Sequence, residues 1–360
     1  MISEQFSQTL IDWQKVHGRH HLPWQYAHPY ARWISEIMLQ QTQVSTVIEY
    51  YDRFMKRFPT VQSLAEASED EVMQYWSGLG YYSRARNLHK SAKIIVYDHK
   101  GVFPTTRLEW ESLPGVGRST AAAIVAFSFG AKETILDGNV KRVLMRYFCL
   151  DAPVDNGETT KKLWDLAENL LPQNDIEAYI QGLMDLGATV CTRTPKCVIC
   201  PFRETCQALL NGKQGDIPAP RKKLNRLEKE RTFFLLWHED GCLLQKRSAR
   251  GVWRGLFSLP EREGEMSEED ISEALSAQGF MIKNIRRLES FHHDFSHYRL
   301  VLHPWAIHIK NPDTVKNDER WAKVAELSDI GLPAPIRGLL ERFFARESDE
   351  DLLPVFSLDR

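Results

Sequence analysis

The chain has 360 residues, 43% of them hydrophobic and 26% charged. That is too long for one compact core and suits two domains, and the composition excludes wholesale disorder or a fibrous chain. Forty-six Lys and Arg against 48 Asp and Glu leave a net charge of −2. The chain is therefore not a globally basic coat for nucleic acid, although a local basic face fits inside a neutral total. No apolar run reaches the roughly 18 residues that span a bilayer. The opening MISEQFSQTLIDW lacks the basic start and apolar stretch of a secretory signal. These features predict a cytoplasmic protein with no membrane association.

In chain order, apolar residues from Ile34 to Phe58 recur at spacings of three, four and seven. They predict an amphipathic helix over 30–58, broken near Gln41–Ser45 and stopped by Pro59. Further helices are expected over 69–77, 83–98, 107–113, 119–129, 140–149, 160–171 and 177–190, with Gly and Pro between them. No alternating strand pattern appears before residue 230. Residues 211–231 carry seven Lys and Arg against three Asp and Glu, with Pro218 and Pro220. They read as a basic inter-domain linker, either solvated or tracking a DNA backbone. Beyond it, Thr232–His238 and Cys242–Lys246 flank Asp240-Gly241 as a hairpin. Residues 268–277 suggest a short acidic helix, 298–309 a strand and 334–344 a closing helix. An α+β domain thus follows an all-α one, with an acidic tail over 346–360.

Four of the six cysteines lie within sixteen residues: Cys191, Cys197, Cys200 and Cys206, spaced C-x5-C-x2-C-x5-C. In a reducing compartment such a group binds metal rather than forming disulfides. Four thiolates suit either zinc or a [4Fe–4S] cluster. A single CxxC flanked by one outer Cys on each side, with Pro201 after Cys200, favours the cluster.

Leu113-Pro114-Gly115-Val116-Gly117 precedes an Ala-rich helix. This is a tight turn whose backbone N–H groups and following helix start suit a phosphate; an ordinary helix–helix turn is the plainer reading. Asp137 precedes Gly138-Asn139 and suits a helix N-cap. Glu36 sits among apolar and amide neighbours, where desolvation favours the protonated carboxyl and hence general-acid chemistry. Two carboxylates in unlike environments are what glycosidic cleavage needs. In Gly78-Leu79-Gly80-Tyr81-Tyr82-Ser83-Arg84-Ala85-Arg86-Asn87, Tyr81 is either a wedge into a base stack or half of a core aromatic pair.

Taken together, Leu22-Pro23-Trp24, Ser35–Thr42, Gly78–Asn87, Leu113–Gly117, Leu136–Arg142 and the Cys group resemble the adenine DNA glycosylases of the MutY kind. These belong to the helix–hairpin–helix base-excision glycosylases. The resemblance is dense over residues 5–210 and looser over 230–345. It implies an all-α helix–hairpin–helix glycosylase domain with an iron–sulfur cluster loop, over 1–210. Within it the six-helix barrel would occupy about 26–134, and the cluster subdomain the N-terminus with about 135–210. An α+β Nudix-like lesion-recognition domain would span 232–345.

The implied activity is removal of adenine mispaired with 8-oxoguanine, or with guanine, from double-stranded DNA, by a monomer holding one [4Fe–4S] cluster. By resemblance, Glu36 protonates adenine at N7. Asp137, supported by Asn139, stabilises the oxocarbenium-like sugar. Trp24, Gln25 and Gln181 line the adenine pocket, while Gln40, Gln41 and Tyr81 contact DNA around the lesion. Gly115, Gly117 and Ser119 lie in the hairpin, and Phe295, Ser296 and His297 in the loop that inspects the oxidised guanine. Cys191, Cys197, Cys200 and Cys206 hold the cluster, with Arg193, Lys196 and Arg203 near phosphates. The chain departs from the family pattern in having five residues, not six, between its first two cluster cysteines. Bifunctional relatives carry a nucleophilic Lys two residues after the last hairpin Gly; Ser119 stands there, so little or no lyase activity is expected. Residues 268–279 lack the Arg-Glu and paired Glu of a Nudix hydrolase, so nucleotide hydrolysis is not expected.

Overall fold

The computed structural model describes residues 2–25, 28–154, 156–219, 226–239, 241–248, 251–295, 297–310 and 318–350. Residues 220–225 of the linker, Asp240 of the hairpin turn, Ser296, and 351–360 of the tail lie outside them. The chain divides into two compact units: residues 1–66 with 86–223, and residues 67–85 with 224–360.

The first unit is helical: α1 (Ile2–His17), α2 (Pro29–Leu39), α3 (Val44–Arg57) and α4 (Val61–Glu66) open it. The break expected near Gln41–Ser45 separates α2 from α3. α5 (Glu69–Trp76) belongs to the second unit, and α6 (Ser83–Lys93) runs from one grouping into the other. There follow α7 (Arg107–Glu111), α8 (Arg118–Phe129), α9 (Gly138–Tyr147), α10 (Gly157–Asn169), α11 (Ile176–Thr189) and the single turn α12 (Gln207–Leu210).

Short polar side chains start several of these helices by capping the first free N–H groups. Ser68 accepts from Glu71, Asp137 from Val140 and Asn156 from Glu158. Thr106 and Glu109 form a reciprocal capping box on α7. The buried core around α9 and α11 is aliphatic; Val140, Val143, Leu144, Ile180, Leu183 and Leu186 are nearly solvent-free. Phe6 of α1 stacks on Phe202 at 4.4 Å and meets Tyr147 edge-on at 4.7 Å. α1 is thereby pinned to the loop that carries the four cysteines. Helix α1 is absent from the sequence expectation, because its apolar positions are diluted by Ser, Gln and Lys.

The second unit contains a mixed sheet. β1 (Leu227–His238) and β2 (Gly241–Lys246) form the expected hairpin, pairing Trp237 with Cys242. β3 (Phe257–Ser258), β4 (Glu261–Glu263), β5 (Ile282–Arg287), β6 (Phe291–Asp294), β7 (Tyr298–Ile309) and β8 (Glu319–Lys323) complete it. The main order is β3-β2-β1-β7-β5, with β1 and β7 parallel from Leu227/Tyr298 to Trp237/His308. Side chains alternate between faces, so Phe234, Leu236, Trp305, Ile307 and Ile309 form one core with Ile271 and Leu275 of α13 (Glu268–Ser276). The closing helix α14 (Ala334–Glu350) extends beyond its expected end at 344. Most of the short strands went unpredicted because two to six residues are too few to display a period.

Candidate active site

Glu36 lies on α2, whose other residues are almost all buried: Arg32, Trp33, Ile34, Ser35, Ile37 and Met38. Pro29 at the first helical position and a His28 cap on the Tyr30 N–H fix where that helix begins. The dry surroundings disfavour a carboxylate, and the negative charge of Asp137 opposes a second one. The guanidinium of Arg32 only partly offsets them, so the Glu36 carboxyl is pushed up to about 7. It therefore exchanges its proton near neutrality.

Asp137 reaches the same place from α9. Its Oδ1 accepts the Val140 N–H at 2.8 Å, capping the helix. Burial raises its carboxyl above the usual range, against the backbone N–H groups of Val140 and Asn139 and the charge of Arg142. The cap reading and the paired-carboxylate reading describe the same side chain. One residue earlier, the Leu136 N–H donates to Ser119 Oγ at 3.0 Å, which ties the Asp137 segment to the first turn of α8.

Asn139 bonds Asp137 through its backbone. Its side-chain Oδ1 is taken by Arg142 Nη2 at 2.8 Å. Asn139 also rests on Gly187 of α11, where an added Cβ would stand 2.6 Å from Asn139 Cβ. Arg142 further donates to the carbonyls of Gly187 and Cys191, both at 2.7 Å, and so links this corner to the cysteine loop.

Of the three residues expected around adenine, Gln25 and Gln181 share one polar chain. Gln181 Nε2 donates to Asp185 Oδ1 at 2.8 Å. Asp185, fully buried, accepts from Arg19 Nε at 2.6 Å and from the Arg19 N–H at 2.9 Å. The Arg19 carbonyl accepts from Gln25 Nε2, and the Gln25 carbonyl from Arg32. Arg32 also pairs with Glu177 at 3.0 Å and lies over the Phe127 ring. Trp24 is buried, edge-on to Tyr51 at 5.3 Å. Sequence reasoning passed over Arg19, Arg32 and Asp185. For Arg32 and Asp185 the signal was present: Arg32 beside Glu36 in PYARWISEIML and Asp185 alone in YIQGLMDLGA are charges inside apolar helical runs, costly to bury without a partner.

At the hairpin, Gly115 has φ +78° and faces Asn87, whose Cβ would be 2.8 Å from an added Cβ. Gly117 caps α8 with open space around it. Gln40 bridges to this turn, donating to Thr120 Oγ1 at 3.1 Å and to the Gly115 carbonyl at 3.4 Å. Gln41 and Tyr81 are both non-glycine residues in left-handed backbone, at φ 58° and 47°. Such conformations cost about 1–3 kcal/mol and concentrate at functional sites. Both side chains are exposed.

Cys191, Cys197, Cys200 and Cys206 converge on one apolar recess with Arg146, Lys196 and Arg203 at its wall. Burial, and to a lesser degree the neighbouring thiols, push the Cys197, Cys200 and Cys206 thiols up. Arg146 Nη1 lies 3.4 Å from Cys191 Sγ. The shared recess places all four thiols where they could hold a metal group, and the five-residue first loop still brings Cys191 to it.

In the second unit, Phe295 packs against His293 at 4.7 Å, Trp253 at 5.2 Å and Tyr298 at 4.8 Å. Its packing role is thus real, while His297 beside it is exposed. Ser296 lies outside the described residues.

Residues 34–169 match the HhH-GPD superfamily of base excision DNA repair proteins, and 232–342 match the NUDIX domain. The adenine DNA glycosylase of Buchnera aphidicola subsp. Baizongia pistaciae is 40% identical over 342 residues, 94% of this chain and 96% of that one. The rat adenine DNA glycosylase is 43% identical over 225 residues, 59% of this chain and 43% of its own length. A thermostable thymine-DNA glycosylase superposes with TM-score 0.52 at 30% identity, over 58% of this chain and 97% of its own. Endonuclease III in a non-covalent DNA complex gives 0.50 at 21% identity, over 59% and 98%, a likeness of fold. No helix of the described residues is long and apolar enough to cross a membrane. The chain belongs to the adenine DNA glycosylase family, with a helical helix–hairpin–helix glycosylase fold followed by a Nudix domain.

Proposed function

We propose that this chain hydrolyses the N-glycosidic bond of adenine mispaired with 8-oxoguanine, and with guanine, in double-stranded DNA. It does so as a monomeric, monofunctional glycosylase of base excision repair. The observation that carries the reading is the carboxyl pair: Glu36, with its acidity near neutrality, beside the charge of the capping residue Asp137.

Extrusion of the adenine costs a few kcal/mol, less for a mispair than for a matched base. Trp24, Gln25 and Gln181 form its pocket, held by Arg19 and Asp185. Glu36 gives its proton to adenine N7, so that the base leaves neutral when the C1′–N9 bond breaks. The Asp137 carboxylate faces the positive charge that develops on the sugar and orients the water that attacks C1′. The proton lost by that water restores the acid. Ser119 offers no amine for a Schiff base, so the product is an intact abasic strand.

Cys191, Cys197, Cys200 and Cys206 would hold one [4Fe–4S] cluster, whose chemistry here is to cross-link the loop. Arg193, Lys196 and Arg203 on that loop then meet phosphates. Phe295, Ser296 and His297 read the oxidised base, with Gln40, Gln41 and Tyr81 around the vacated stack and Gly115 and Gly117 against the backbone. The test is Glu36→Gln in single-turnover base release. Loss of at least about 100-fold, the size of a general-acid contribution, with duplex binding retained, supports the assignment. An unchanged rate removes it.

A further inference from the structure

The turn that carries Tyr81 is built within the second unit, among residues 67–85 and 224–360. Three of its four residues have positive φ: Gly78 at 98°, Gly80 at 74° and Tyr81 at 47°. Trp76 Nε1 donates to the Gly80 carbonyl at 3.2 Å, and Arg84 Nη2 to the same carbonyl at 3.1 Å. Arg84 lies between the rings of Trp76 and Tyr81. These contacts shape the turn but do not anchor it.

The anchor is Ser77, buried at 7% exposure. Its hydroxyl donates to the Leu332 carbonyl at 2.8 Å and accepts the Leu332 N–H at 3.2 Å and Arg337 Nη2 at 3.3 Å. One O–H and two lone pairs are then fully used. Arg337 is itself fixed by the carbonyls of Ile330 at 2.7 Å and Leu327 at 2.8 Å. On the other side of the turn, Tyr82 Oη accepts the Gly78 N–H at 3.2 Å and reaches the Leu332 carbonyl at 3.5 Å. Gly331 lies so close to α5 that an added Cβ would be 3.3 Å from the Met73 carbonyl carbon and 3.2 Å from Leu256. Lys246 of β2 ties the start of α5 through both oxygens of Asp70, at 2.6 and 2.7 Å.

We infer that Ser77 and Arg337 are positioning residues through which the Nudix domain's 330–337 segment sets the Tyr81 turn, so that wedge insertion depends on that domain. The inference rests on the proposed wedge role of Tyr81. A buried hydroxyl with all three bonds made has no alternative partner; its loss strands the Leu332 N–H and leaves the Leu332 carbonyl only the 3.5 Å contact of Tyr82 Oη. The turn is left-handed at three positions and has little intrinsic preference for its shape. Its geometry therefore has to be imposed by what it is bonded to.

The test uses the full-length chain and a duplex with A opposite 8-oxoguanine, with 2-aminopurine beside the lesion to report unstacking. Ser77→Ala is expected to lower both the fluorescence rise and the single-turnover rate about tenfold, the effect of one lost buried hydrogen bond. Affinity for undamaged duplex should stay unchanged. Because the effect passes through Tyr81, Ser77→Ala with Tyr81→Ala should be no slower than Tyr81→Ala alone, whereas a general loss of stability would add. If Ser77→Ala loses its cooperative melt, the comparison passes to Arg337→Met, expected to be impaired, and Arg337→Lys, expected to recover part of the rate. A wild-type fluorescence rise in these variants, or additive losses, with Tyr81→Ala slow, overturns the positioning role alone. A wild-type rate in Tyr81→Ala overturns the wedge reading and the inference with it.

Discussion

Ser119 Oγ accepts the Leu136 N–H at 3.0 Å, so the hydroxyl that stands where bifunctional relatives carry an amine holds the backbone one residue before Asp137. Its position therefore has a use in this chain apart from nucleophilic catalysis. Ser119→Ala should leave a partly buried N–H without its acceptor and let Asp137 drift, slowing base release about tenfold. The abasic product should break only on alkali or heat, in wild type and variant alike. Strand cleavage without such treatment, trapped by borohydride at one lysine, would contradict this and point to Lys141.

Glu36→Gln should exchange activity for stability. The folded carboxyl is raised to about 7 from the usual 4.5. The proton-bound form is thus favoured in the fold. That stabilisation is fully present below about pH 4.5 and is lost as pH rises through about 7. Above pH 7 the native state carries a charge it does not favour, worth about 3 kcal/mol at 1.36 kcal/mol per unit. Glutamine removes that charge, so the variant's Tm should exceed wild type at pH 8 and converge with it near pH 4.5. Calorimetry at the two pH values checks the sign.

The same proton sets the rate profile. Base release in the wild type should fall above about pH 7 as Glu36 ionises. It should also fall on the acid side as Asp137, itself raised above the usual aspartate range by burial, becomes protonated. In Asp137→Asn the acid limb should vanish along with most activity. A profile flat from pH 6 to 9 under single-turnover conditions would dissociate the rate from Glu36.

The purified chain should be brown, with broad absorbance near about 400 nm and roughly four irons per chain, as thiolate ligation by Cys191, Cys197, Cys200 and Cys206 implies. Cys200→Ser should lose colour, and the Phe6–Phe202 stack should transmit the damage to α1 as faster exchange of its amides. A colourless protein with one zinc would contradict the cluster assignment.

Much of this site was legible in the sequence because its chemistry is local. Asp137 next to Gly138 announces a cap, Glu36 among Trp33, Ile34, Ile37 and Met38 announces a desolvated acid, and four clustered cysteines announce a metal. The helical half was legible because its apolar periods are long. What stayed hidden depends on distance along the chain. Asp185 and Arg19 meet across 166 residues, and Ser77 meets Leu332 across 255; no local period encodes either. The grouping of residues 67–85 with 224–360 was invisible for the same reason, since composition marks a boundary only where the linker is basic and proline-bearing.

The lesion loop gives a separate expectation. Phe295 is held by Trp253, His293 and Tyr298, so Phe295→Ala should loosen the loop as well as remove a contact. Ser296→Ala with His297→Ala is the cleaner change. It should reduce the preference for A opposite 8-oxoguanine over A opposite guanine by about tenfold, the worth of one base-edge contact. Unchanged discrimination would assign the reading to Gln41 and Tyr81.

The central claim is tested most directly by base release from three duplexes that differ only at one position: A opposite 8-oxoguanine, A opposite guanine and A opposite thymine. The account predicts free adenine from the first two, faster from the first, none from the third, and an intact abasic strand. Release of an oxidised pyrimidine instead, or no adenine from any duplex by a properly folded, cluster-bearing chain, would contradict it.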